Sequence, residues 1–249
     1  MLRFLRNIRK SSLASASSRK YFIYAIGEIA LVVIGILLAL QINKWSEAKK
    51  LNKSINSHLQ ILAKNLEEDQ IQLKQLHSGV TDNFAYADSL MMFFKGHVSF
   101  DSKIVKYMSM SLIEHQFKSN TTGFETINQS GEIPFLNAAL QSSILDYYSM
   151  VKSVNEREHI SNKQIQEKYE VYIFNNYPEV FQRNNEWEYV SNMYKDDLRP
   201  IIDFDPVKLR SDKTLEANII ARHYQSNLLS EQYSQLIEAS NKALSLIQK

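Results

Sequence analysis

The chain contains no cysteine, and only six of its 249 residues are glycine and four proline. The absence of cysteine excludes disulfides, thiolate nucleophiles and cysteine-ligated metal sites together. Two of the six glycines, Gly27 and Gly35, lie inside one apolar run. So few breakers cannot turn a chain every ten residues, which argues against a sandwich or barrel and for long helices. There is no glycine-rich phosphate loop and no G-x-S-x-G nucleophile elbow. A strong charge of one sign is also missing. The formal net charge is +2, but residues 1–42 hold six basic side chains and one acidic one, so residues 43–249 carry 23 basic and 26 acidic. A mildly acidic domain has no electrostatic footprint for nucleic acid, and no nucleic-acid partner is expected.

What is present begins with Tyr21 to Ile42, an apolar run whose one side chain charged at neutral pH is Glu28. At about 1.5 Å per residue it reaches roughly 33 Å, enough to cross a hydrocarbon core. The 1–20 arm before it holds Arg3, Arg6, Arg9, Lys10, Arg19 and Lys20 and no acid. It reads as a cytoplasmic flank, with its leucines and isoleucine also fitting a short amphipathic helix on an anionic leaflet. Lys44, Lys49, Lys50 and Lys53 follow the run, so the bias places the N-terminus inside by six charges against four. The run is longer than the apolar part of a signal peptide, and Gln41, Asn43 and Trp45 make a poor cleavage site. Glu28 is either a polar contact to another membrane helix, approached along Gly35-x-x-x-Ala39, or an interfacial carboxylate that draws water and headgroups to itself.

The run YAIGEIALVVIGILLALQINKW (24–45) behind a basic arm resembles an uncharacterised family of bacterial single-pass membrane proteins, a domain of unknown function. The resemblance covers residues 1–50 closely and continues more loosely around TGFETINQSGEI (122–133) and the helix after it. It implies a membrane-anchored helical protein of a Gram-negative envelope, and brings no activity, cofactor or functional residue with it.

Beyond the anchor, Trp45, Ala48, Asn52, Ile55, Leu59, Leu62, Leu66, Asp69, Leu73, Leu76 and Val80 recur at spacings of three and four. This a/d seam, broken at Asn52 and Asp69, predicts a helical stalk over about 43–80. It serves either a parallel dimeric coiled coil or the first helix of an intramolecular bundle. A second apolar helix is expected over 81–95, closed by Gly96, with Leu90–Phe94 in the core. A third is expected over about 102–117, capped by Asp101. Residues 124–130 form a short helix capped by Thr121 or Thr122, with Thr122 and Glu125 in capping-box form, and Gly131 ends it. A long helix starts at Pro134, bends near Ser161 and stops at Tyr177-Pro178. Its inward face is marked by Leu140, Ile144, Leu145, Tyr148, Val151, Val154, Ile160 and Ile165. Asp205-Pro206 opens a short turn, and a last helix runs from about Asp212 to Gln248 with Leu215, Ile219, Ile220, Tyr224, Leu229, Tyr233 and Leu236 inward. The expected fold is all-α: residues 1–20 an arm, 21–42 a transmembrane helix, and 43–249 a stalk and a bundle of four to five main helices.

Chemistry-bearing patterns are weak. Glu156 and His159 have the i, i+3 spacing of di-iron bundles, but such sites need a second Glu-x-x-His and two more glutamates. None of the other histidines has a glutamate three residues before it, and NEREH (155–159) reads as a solvated face. Asp196-Asp197 suits a helix end. The cluster Thr126, Asn128, Gln129 and Ser130 serves either a binding site or the backbone of a crowded junction. Tyr147, Tyr148, Tyr169, Tyr172 and Tyr177 either line a groove for a ligand or stand at the wet edge of a core. No catalytic, cofactor-binding or metal-ligating residue is therefore assigned, and no cofactor is expected. The expected partners are the lipid bilayer and, through stalk and anchor, a second copy or another protein. The readings carried forward are a non-catalytic interaction or scaffold module of the cell envelope, an extracytoplasmic small-ligand sensor, and a metal-dependent enzyme through Glu156 and His159.

Overall fold

A computed structural model describes residues 18–248, with side chains from Tyr21 onward. The basic arm lies outside the described residues except for its last three positions, of whose side chains nothing is said. The chain divides into two compact units that part between Ser57 and His58.

In the first unit the described residues are helical throughout. They belong to α1, Ser18–Phe94. From Tyr21 to Trp45 every side chain except Ala25 is exposed. Among the described residues one helix is long and apolar enough to cross a membrane.

The second unit is all helix and irregular chain, with no strand among the described residues. The elements after α1 are α2 (Ser102–Met110), α3 (Thr122–Gln129), α4 (Ala138–Gln164), α5 (Glu170–Asn176), α6 (Glu188–Met193), α7 (Pro206–Ser211) and α8 (Lys213–Ile247). The expected caps form at Asp101, which accepts from the amides of Lys103 and Ile104, and at Asp205, which accepts from Val207 and Lys208; Asp212, the expected first residue of the last helix, is instead its cap and accepts from Thr214 and Leu215. Gly96 (φ 78°) and Gly131 (φ 67°) close α1 and α3 in the left-handed region that suits glycine.

Several boundaries differ from the sequence expectation. Gly79 does not end the stalk, and α1 runs through it to Phe94, because one glycine costs a long packed helix only about 1 kcal/mol. Pro134 opens a single 3-10 turn, Ile133–Phe135. The helix itself starts at Ala138 behind Asn137, whose side chain accepts from the Leu140 amide. Near the expected bend, α4 passes through a widened π turn, Ile165–Tyr169, into α5. The capping box at Thr122 does not form. Thr121 is the cap position, and its hydroxyl instead donates to Glu125.

The largest departure is the helix expected over 102–117. It stops at Met110, and residues 113–120 are non-helical chain whose amides at 115 and 117 and at 118 and 120 turn to opposite neighbours, as in an extended segment. Leaving the helix here also lengthens the reach of this connection. The core of the second unit has two parts. One joins Leu62, Leu66 and Leu73 of α1 to Ile144 and Tyr147 of α4 and Tyr233 and Leu236 of α8. The other joins Leu90 and Phe93 of α1 to Ile104 and Met108 of α2, Tyr169, Ile173, Leu215 and Ile219. Helix α1 and the α4–α5 helix run from the first part to the second, and α8 runs back. The connection from α1 to α4 must also run back, over about 40 Å at 1.5 Å per helical residue. Nine helical residues cover about 13 Å, and nine extended ones cover about 30 Å. The bundle therefore has four legs, up, down, up and down, and the second is half helix and half extended chain. The seam from Leu59 to Val80 faces these neighbours within its own chain.

Candidate functional site

An extended segment inside a helical bundle has no sheet to satisfy its amides and carbonyls, yet buried backbone groups must find partners. Here side chains replace the missing strands. On the α4 side, Asn162 forms a two-way pair with His115, donating to its carbonyl (2.8 Å) and accepting from its amide (3.3 Å). Two residues on, the Phe117 amide donates to Glu158 Oε1 at 2.8 Å. On the α1 side, the Lys118 amide donates to Gln72 (2.9 Å) and the Asn120 amide to Asp69 Oδ1 (2.8 Å). The alternation follows from extended geometry, in which successive residues turn their backbone groups to opposite edges. Arg222 of α8 reaches the Ile113 carbonyl, Tyr148 the Asn120 carbonyl, and the Gly123 amide donates to Asn65 at 2.7 Å.

Two carboxylates anchor the arrangement. Asp69, 3% exposed, accepts from the Asn120 amide, the Ser119 hydroxyl (2.6 Å) and the Tyr147 hydroxyl (2.7 Å). Burial and the Asp69 charge push the Tyr147 hydroxyl far above its ordinary range, so it remains a donor. Glu158, 2% exposed, accepts on Oε1 from Phe117 and from the Tyr233 hydroxyl, while its Oε2 has no partner among the described residues. Burial raises the Glu158 carboxyl above the usual range, outweighing those two hydrogen bonds. Arg222 is buried, donates to Ser161 (3.2 Å) and Ile113, and makes no ion pair among the described residues. Burial lowers its guanidinium to about 10. His115 sits 2.8 Å from Asn83, and burial, with Arg222 nearby, lowers its imidazole to about 4. Its ring lies over Gly79, where an added Cβ would come within 2.9 Å.

The TGFETINQSGEI stretch finishes the job at one end of the segment. A Cβ at Gly123 would stand 2.6 Å from the Leu62 Cα, so only glycine lets α3 sit this close to α1. Phe124 stacks on Tyr148, and the buried Glu132 meets His58 Nδ1 at 2.7 Å. Of the polar cluster within it, Thr126 bonds back to the Thr122 carbonyl, while Asn128, Gln129 and Ser130 are exposed.

Beside the extended segment lies an open cleft of about 500 Å³, walled by Glu114, Lys118 and Ser119 on one side and by Asn155, His159 and Lys163 of α4 on the other, with Glu158 among its lining residues. Glu156 and His159 are both exposed. Among the described residues no group of three potential ligands could hold a metal ion. The tyrosines do not line a groove. Tyr147, Tyr148, Tyr169 and Tyr177 are buried, and Tyr169 donates to the Met108 carbonyl while Tyr172 and Tyr177 donate to Asp212. Asp197 chelates Arg199, whose hydrogen bonds hold its carboxyl down at about 2.

Reading NEREH as a solvated face is wrong for Glu158, and Arg222 and Asn162 escape a search for motifs. A seam count finds two of the three. The inward positions of α4 are 140, 144, 147, 151, 154, 158 and 161, and those of α8 are 215, 219, 222, 226, 229, 233 and 236. Glu158 and Arg222 occupy seam positions, as Asp69 does on α1.

The chain matches a family of unknown function (DUF6090) over residues 28–168, more than half its length, and belongs to that family. The match takes in the extended segment and its α1 and α4 partners, and ends before Arg222 and Tyr233. No curated protein and no solved structure matches the chain.

Proposed function

We propose that the protein is a membrane-anchored, non-catalytic helical module that works by contact with other proteins of a bacterial envelope. Residues 21–42 serve as the single span, the arm at 1–20 stays in the cytoplasm, and residues 43–249 stand in the periplasm. One observation carries this reading. The polar side chains buried around the extended segment are spent on the chain's own backbone, so they serve to hold one shape, and the exposed apolar run serves to hold that shape at a membrane. The test is topology and attachment in the full-length chain. A periplasm-active reporter after Lys249 should work, a cytoplasm-active one should not, and alkaline carbonate should leave the chain in the pellet. The opposite reporter pattern refutes the orientation, and release by carbonate refutes the anchor.

The cleft beside Glu158 favours a second reading, a sensor-like domain for a small polar ligand. A ligand of that site raises the melting temperature of the wild-type chain by mass action. The shift should shrink in Asn155→Leu, which alters an exposed wall residue without touching the side chains that bond the 113–121 backbone.

A further inference from the structure

We infer that the cleft between the extended leg and α4 takes a free α-amino acid, with its ammonium on Glu158 and its carboxylate at the rim lysines Lys118 and Lys163; this rests on the sensor-like reading of that cleft above. Several polar side chains of the lining are already spent within the chain. Glu114 accepts from Gln166 at 2.9 and 3.0 Å, Asn162 is paired with the His115 backbone, and the Ser119 hydroxyl donates to Asp69. Glu158 differs. Its Oε1 has two donors, while Oε2 is buried and has none, the one buried side-chain atom of this lining left so among the described residues. A buried carboxylate oxygen without a donor carries a desolvation cost that a bound donor offsets. Burial without a counter-charge also raises this carboxyl, and a bound ammonium supplies the charge.

The other end of the ligand follows from the rim. Lys118 is exposed, and its ammonium has no ion pair among the described residues. Lys163 is exposed and loosely held, 3.7 Å from Glu167. Exposed His159 stands beside them on the α4 wall. A ligand with a cation alone meets these lysines as like charges, and one with a carboxylate alone meets Glu158 in the same way. A single molecule carrying both groups answers both, with a charge-assisted hydrogen bond at each end. At about 500 Å³ the cleft lies within the size range of small-molecule sites and leaves room for a side chain.

The test is thermal shift and calorimetry on the full-length chain in detergent micelles. The probes are the standard free amino acids, together with simple amines, carboxylates and sugars. At least one amino acid should raise the melting temperature. Its amide, which lacks the carboxylate, and its deaminated acid, which lacks the ammonium, should each bind about tenfold more weakly or worse. Glu158→Gln keeps an acceptor for Phe117 and Tyr233 but removes the charge; it should weaken the amino acid about tenfold and leave the deaminated acid unchanged. Lys118→Ala with Lys163→Ala, both at exposed positions, should weaken the amino acid and leave its amide unchanged. If another class of probe gives a shift that Asn155→Leu reduces and amino acids give none, the amino-acid assignment falls and the cleft reading stands. If no probe gives a shift that Asn155→Leu reduces, both fall. An amino acid that binds Glu158→Gln and the double lysine variant as tightly as wild type overturns the placement.

Discussion

At Asp69 a single carboxylate holds three donors that belong to two different legs of the bundle: the Asn120 amide and Ser119 hydroxyl of the extended leg and the Tyr147 hydroxyl of α4. Removing it leaves those donors buried without partners. Asp69→Ala is expected to destabilise the folded chain by roughly 3 kcal/mol, and Tyr147→Phe by about 1–2 kcal/mol, as read by urea unfolding. An Asp69→Ala loss below that of Tyr147→Phe would show that the extended leg does not depend on this carboxylate. His115 and Glu158 make the same leg sensitive to pH in opposite senses. His115 titrates at about 4 in the fold against 6.5 for a free imidazole, so its contribution is present above about pH 6.5 and is lost as pH falls toward 4. Glu158 is raised above the ordinary carboxylate value of 4.5, so its contribution is present below that value and fades as pH climbs through the raised one. His115→Gln should flatten the acid limb of stability against pH, and Glu158→Gln the limb on the other side. Matching limbs in wild type and both variants would remove these two groups as the cause.

Among the elements, the extended leg and α3 depend on close approach more than on propensity. Gly123 sits where a Cβ would strike the Leu62 backbone, which cannot move without shifting α1. Gly131 faces open space and is constrained by its positive φ alone. Gly123→Ala is therefore expected to cost about 2–3 kcal/mol and Gly131→Ala about 1 kcal/mol. Thermal unfolding of the two variants side by side checks the order, and equal losses would mean that α3 can lift away from α1 at little cost. The π turn at Ile165–Tyr169 has a related role. The seam of α4 advances in threes and fours to Ile165, and the extra residue of the turn lets Tyr169 and Ile173 continue inward against the second part of the core.

Across the second unit as a whole, α1, α4–α5 and α8 run through both parts of the core, so neither part can lose its helices alone. Unfolding of this unit should be a single transition. Leu66→Ala in one part and Ile219→Ala in the other should each lower it by about 2–5 kcal/mol, with far-UV circular dichroism and Trp187 fluorescence remaining coincident. Separation of the two signals in either variant would show two independent folding units where the shared helices require one.

Local chemistry was enough to set the class of this protein. The apolar run Tyr21–Ile42, the seam from Leu59 to Val80, the caps at Asp101 and Asp205, and the stop at Tyr177-Pro178 are each written within a few residues of where they act. Capping, periodicity and proline geometry need no distant partner, so the all-α fold with its long N-terminal helix could be read directly. The site could not. That residues 113–120 are extended goes with how far apart the two ends of the bundle lie, a distance set by α1, α4 and α8 together. That Glu158, Asn162 and Arg222 are polar for the sake of that segment depends on a neighbour more than 40 positions away in sequence. Ile160, Ile220 and Tyr224, which look inward by composition, are exposed because the packing of whole helices, and not apolarity, fixes which stripe faces the core. The sequence alone thus determined the all-α class and which segment is long and apolar enough to cross a bilayer. Only the tertiary structure decided which polar groups are buried and what they hold, because burial is a property of contacts between remote parts of the chain.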